Sequence, residues 1–192
     1  MAARFDRAGL LVLASGAVLG SLAPGAAADA VPAGDLAYLR LLIATELLAA
    51  DFQDTALAGG KLSARSTRVL KQMRADEDAH YRGLAALMNG LGQTPASADD
   101  IDFSYPSGSF ASEGSIVKLA AELEDLSLGA YLGAVENVQT PQLRLPIGQI
   151  AANEAQHVSA LAPWSGRSAI GPAFGPSLQI AAVSAALDTY ES

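Results

Sequence analysis

Apolar residues recur at three- and four-residue intervals over four long stretches of this chain, and each stretch is bounded by residues that stop a helix. After Pro32-Ala33-Gly34, with Asp35 placed to cap, the period runs from Leu36 to Leu57 and breaks at Gly59-Gly60. The second stretch spans roughly Ser63 to Asn89 and ends at Gly90-Leu91-Gly92. So short a connection predicts antiparallel neighbours. Residues 93–111 show no period, carry Pro95 and Pro106 with the acids Asp99, Asp100 and Asp102, and read as a loop long enough to cross a bundle. The third helix is then expected from a cap at Ser112 to about Val138, parallel to the second. Thr140-Pro141 opens the fourth, which ends near Trp164-Ser165-Gly166, and Pro146 must delay its start or kink it. A Gly/Pro-rich link to Pro176 leads to a short fifth helix, about Ser177 to Tyr190. The pattern predicts an all-α four-helix bundle with one long crossover between helices two and three.

Composition narrows what such a bundle can do. The chain has 192 residues, 51% hydrophobic but only 6% aromatic, and the apolar content is largely Ala and Leu. Both are strong helix formers. A net charge of −8 argues against nucleic acid, whose phosphates require basic partners, and suits attraction of cations. Cysteine is absent, which excludes disulfides, iron–sulfur clusters and thiol chemistry, and leaves His, Asp and Glu as the metal donors. Residues 1–30 read as a signal peptide, with Arg4 and Arg7, an apolar run from Ala8 to Leu22, and Ala26-Ala27-Ala28 or Ala28-Asp29-Ala30 for cleavage. That run falls short of a bilayer span, so membrane contact is expected only through an uncleaved signal. Residues 31–192 form the expected single domain of an exported protein.

The candidate chemistry lies in the two histidines. Each has a glutamate three residues before it, Glu77 before His80 and Glu154 before His157. Positions i and i+3 share a helix face, so each pair can address one metal. With eight glutamates in 192 residues, chance would give both histidines this neighbour roughly 0.2% of the time. Both pairs fall on apolar stripes, Met73, Leu84 and Leu87 in one case and Ile147, Ile150 and Leu161 in the other. Charges turned toward a core need compensation, by metal or by hydrogen bonds alone. A two-metal site in a bundle takes a further carboxylate from each remaining helix. Glu46 and Glu124 stand on the corresponding stripes at matching heights, and Glu122, about 200° round the helix from Glu124, is expected in solvent. Asp76 and Asn153, next to the motif glutamates, can orient a histidine or simply face water. Tyr131, two turns past Glu124, is a candidate redox or hydrogen-bonding aromatic, or an ordinary core tyrosine; Gly129 and Gly133 suggest close helix packing or a local irregularity.

These residues carry a resemblance. Glu46 with Phe52 after it, "DEDAH", Asp102-Phe103, "LEDLSLGAYLGA", "NEAQH" and "PAFGPSL" resemble the secreted ferritin-like proteins related to desiccation-associated proteins, within the ferritin superfamily. Ala49 stands where many relatives carry a second acid, and Asn153 where bacterioferritin-like chains have Asp. The resemblance implies a ferritin-like bundle with two metal ions, iron or alternatively manganese, held by Glu46, Glu77, His80, Glu124, Glu154 and His157, with Glu77 and Glu154 bridging or chelating the pair. It implies oxidoreductase chemistry toward ferrous ion, O2 or H2O2, of the ferroxidase or dimanganese-catalase kind, in oxidative or desiccation stress. A metal-stapled structural protein is the alternative of another class. An oligomer is compatible with this reading; a storage cage is not expected, because the acidic crossover and the fifth helix carry no assembly signature.

Overall fold

The computed structural model describes residues 31–191. The signal-peptide reading of residues 1–30 lies outside the described residues. Five α-helices follow in order: α1 Ala33–Ala58, α2 Ala64–Gly90, α3 Glu113–Asn137, α4 Pro141–Leu161 and α5 Ile180–Leu187. The described residues form an all-α, ferritin-like bundle with a long crossover between α2 and α3. No described helix is long and apolar enough to cross a membrane.

Helix ends explain the arrangement. Ser63 and Ser112 cap α2 and α3 by accepting from the amides of Ser66 and Ser115. Glu113, at the start of α3, accepts from the Ser63 amide and hydroxyl and from the Ser66 hydroxyl. The starts of α2 and α3 therefore share one end of the bundle, so the two helices run parallel. Asp35 does not cap its own helix as expected; α1 starts three residues before Leu36, at Ala33 after Pro32. The Asp35 carboxylate is buried and accepts instead from the amides of Gln139 (2.9 Å) and Thr140 (2.8 Å), tying the start of α1 to the start of α4.

Helix α1 is the central element. It buries residues around most of its circumference because α2, α3 and α5 all pack on it. α3 is buried almost as widely, whereas α2 and α4 bury one stripe each; in α2 that stripe is Leu70, Met73, Glu77, His80, Leu84 and Met88, with Leu87 only partly buried. The crossover closes over α1 through an aromatic cluster of Phe52, Tyr105 and Phe110, and Tyr105 also meets Tyr190 of the C-terminal segment. A short 3-10 turn, Ala98–Asp100, interrupts the loop.

One expectation is narrowed and another corrected. α4 begins at Pro141, as Thr140-Pro141 indicated, so Pro146 does not delay it and lies inside the helix. Pro146 lacks an amide that would have bonded Gln142, and Gln142 is exposed, so water can satisfy that carbonyl. The fifth helix is shorter than Ser177–Tyr190, because the Leu178 amide donates to the Gly129 carbonyl (2.8 Å) and holds an extended segment on α3. This contact also accounts for Gly129 and Gly133. A Cβ on Gly133 would lie 1.9 Å from the Leu178 carbonyl oxygen, so the close approach is of the C-terminal segment and not of a helix.

Candidate metal centre

Each long helix contributes to one polar cluster at mid-bundle. Glu46 comes from α1, Glu77 and His80 from α2, Glu124 from α3, Glu154 and His157 from α4, and all six are buried. Glu122 is exposed, as its position on the helix requires.

The donors form two focal points. At the first, His80 Nδ1 lies 3.3 Å from Glu46 Oε2, 3.3 Å from Glu77 Oε2 and 3.0 Å from Glu154 Oε1. At the second, His157 Nδ1 lies 3.1 Å from Glu124 Oε2, 3.3 Å from Glu77 Oε1 and 3.7 Å from Glu154 Oε2. Glu77 and Glu154 thus offer one oxygen to each focus, while Glu46 and Glu124 each serve one. In both groups of four residues the donor atoms lie within 4.8 Å of one another.

Behind the donors, contacts cross between the helical pairs. His80 Nε2 on α2 meets Asn153 Oδ1 on α4 at 2.9 Å, and His157 Nε2 on α4 meets Asp76 Oδ2 on α2 at 3.3 Å. Asp76 and Asn153 therefore each steady the histidine of the opposite helix. Tyr131 on α3 donates its hydroxyl to Glu46 Oε1 on α1. Gln53 on α1 donates to Glu124 Oε1 and to Glu77 Oε1, both at 3.3 Å. Sequence reasoning missed Gln53. It stands seven residues after Glu46 just as Tyr131 stands seven after Glu124, and that repeated interval was the available signal.

Burial opposes charge on the imidazoles, but the facing carboxylates prevail. The carboxylates of Glu154, Glu46 and Glu77, all facing its Nδ1, raise His80 from 6.5 to about 12. Glu124, Glu154 and Glu77 likewise hold His157 far above its ordinary value. Burial, reinforced by neighbouring carboxylates, pushes Glu46 and Glu124 well up. Glu77 moves the other way, to about 2, because its bonds to His157 and His80 outweigh its burial. Burial and the Glu46 charge keep the proton on Tyr131.

The sequence profile of the ferritin-like domain family matches residues 34–166, a span that runs from the first turn of α1 through α4 and the 3-10 turn Ala162–Ser165 after it, and holds all six residues. The chain belongs to the ferritin-like domain family. A search of curated proteins finds no match to it.

The ferritin-like cluster has the chemistry to hold two cations. A single Nδ1 proton cannot satisfy three carboxylate oxygens; His80 bonds Glu77, and His157 bonds Glu124. Glu46 Oε2 and both oxygens of Glu154 are left buried without a hydrogen bond. Buried carboxylate oxygens without partners are costly, and a cation at each focus would engage all of them. Four carboxylates also balance the charge of two divalent ions.

Proposed function

We propose that this protein is an exported ferritin-like oxidoreductase that holds two iron ions and reacts with O2 or H2O2, oxidising ferrous ion or scavenging peroxide under oxidative or desiccation stress. The observation that carries the reading is the pair of foci, each joining one imidazole Nδ1 to carboxylates of three helices. Glu46 and Glu124 would each hold one ion, Glu77 and Glu154 both, with His80 and His157 completing the sets. When bound, a pair of iron ions supplies one-electron steps toward dioxygen or peroxide. The chain's own residues supply the setting. Asp76 and Asn153 keep the imidazoles turned inward, so each Nδ1 needs no reorientation to bind. Tyr131 and Gln53 steady the two terminal carboxylates, and Tyr131 retains a transferable phenolic proton beside Glu46. Surrounding Leu, Ile and Met exclude bulk water and strengthen each charge interaction. Export rests on the reading of residues 1–30.

The test is metal analysis of protein purified without added metal, beside a Glu77→Ala, Glu154→Ala variant. The expected result is about two equivalents of iron in the native protein and almost none in the variant. Two equivalents of manganese would redirect the assays to H2O2 disproportionation. Bound metal that raises the melting temperature without turnover would favour a structural staple. No uptake on anaerobic addition of ferrous or manganous ion would overturn the two-metal reading.

A further inference from the structure

The outer sides of the two helical pairs differ in a way the cluster does not explain. A pocket of about 400 Å³ opens between α1, α2 and the crossover. Glu46 and Glu77 line it, and so do Asp51, Asp54, Asp78 and Asp99. Adding the interval that relates Glu46 to Glu124, or Glu77 to Glu154, gives the corresponding positions on α3 and α4. Asp51 corresponds to Gly129, Asp54 to Leu132 and Asp78 to Ala155. The groove on that second side, about 1090 Å³, includes Leu132, Ala151, Ala155 and Val158, and its lining contains neither Glu124 nor Glu154. The acidic character thus belongs to the side that reaches the buried donors.

A cluster of surface acids alone would mean little. Here Glu46 is 1% exposed and lines the pocket, while its Oε2, which accepts no hydrogen bond, lies 3.3 Å from His80 Nδ1 at the first focus, so the pocket and the cluster share this residue. Arg74 spans the acids, its Nε 3.0 Å from Asp54 Oδ2 and its Nη1 4.0 Å from Asp78 Oδ1, and Arg82 pairs with Asp78. Four aspartates against two arginines leave the mouth negative, before Glu46 and Glu77 are counted. A cleft lined by one sign of charge concentrates the opposite ion and speeds its arrival.

We propose that the α1–α2 pocket is the port through which divalent cations reach the buried cluster, with Asp54, Asp78 and Asp99 drawing the ion inward and Glu46 receiving it. The port rests on the two-metal reading above. Its role is kinetic: it sets the rate of loading and leaves the final occupancy to the six donors.

The test is stopped-flow uptake of Co(II), followed by its visible absorption, by the full chain and an Asp54→Asn, Asp78→Asn, Asp99→Asn variant. Association at low salt should slow roughly tenfold, the difference should shrink as salt screens the field, and both proteins should end at the same stoichiometry. A charge-matched control on α3, Glu122→Gln, Asp125→Asn, Glu136→Gln, none of which lines the pocket, should load at nearly the native rate. Ala50→Trp, which fills the pocket without changing charge, should slow loading at every salt concentration. An unchanged rate in the triple variant and in Ala50→Trp, or equal slowing in the control, would overturn the port while the two-metal reading stood. Failure of the native protein to bind Co(II) would overturn both.

Discussion

Glu46, Glu77 and His80 of the first helical pair have counterparts in Glu124, Glu154 and His157 of the second, yet the groups around them are not repeated. A carboxylate, Asp76, stands behind His157, whereas an amide, Asn153, stands behind His80. A phenol holds Glu46, and a carboxamide holds Glu124. The outer groove of the first pair is acidic and leads to the donors; that of the second is apolar and bordered by the C-terminal segment. Two ions demand equivalent donors, but nothing requires equal affinity, equal access or equal cover. The two halves therefore separate what the chemistry fixes from what the chain is able to vary.

Removing one donor breaks the comparison most severely. His80→Ala and His157→Ala should each retain about one equivalent of Co(II) in place of about two, because each focus keeps or loses its own nitrogen. Variants that both retain two equivalents would show that the foci do not act as separate sites.

The next effect concerns the groups behind the imidazoles. A carboxylate partner raises ligand basicity more than an amide does. Asp76→Asn should weaken the His157 focus about 10- to 100-fold, and Asn153→Asp should strengthen the His80 focus by about tenfold. Native titrations should resolve two affinities, and Asn153→Asp should merge them. Two phases unmoved by either change would break this part of the comparison.

Acidity should affect both halves alike. His80, raised to about 12, carries a proton at neutral pH in the metal-free protein, and an arriving ion must displace it. Affinity should fall as pH falls, about tenfold per unit for each proton displaced. The metal-free fold follows the opposite sign. Its stabilisation from His80 is fully present below 6.5 and is lost as pH rises toward 12. Isothermal titration from pH 6 to 8 checks the first trend, and alkaline melting of the metal-free protein checks the second.

The smallest effect tests the C-terminal cover. Gly133→Ala forces Leu178 away and should cost about 1–3 kcal/mol in thermal melting, although alanine is the better helix former. At the corresponding position of the first pair, Thr55 is exposed, and Thr55→Ala should stay within about 0.5 kcal/mol.

The long helices and the six clustered residues were legible because both are periodic: apolar stripes mark the buried faces, and two Glu-x-x-His pairs interrupt those stripes with charge. What was not legible depends on partners far away in the chain. Asp35 beside a helix start looks like a cap, and only the folded chain places Gln139 and Thr140 against it. Gly133 has no local signature that names Leu178 as the neighbour requiring its missing side chain. For Asp76 and Asn153 the sequence left open whether they orient a histidine or face water, because their crossing between helices follows from the facing of α2 and α4, which one helical wheel does not contain.

The Asp35 contact also sets an order of events. Its two backbone partners lie 104 and 105 residues downstream, and both must emerge from the ribosome before the first turn of α1 can be tied down. The α1–α2 hairpin can form early from local contacts, whereas the anchoring of its free end waits for the turn between α3 and α4. Asp35→Ala should therefore lower the unfolding barrier more than it slows the first collapse, leaving a chain that folds on time and comes apart too soon.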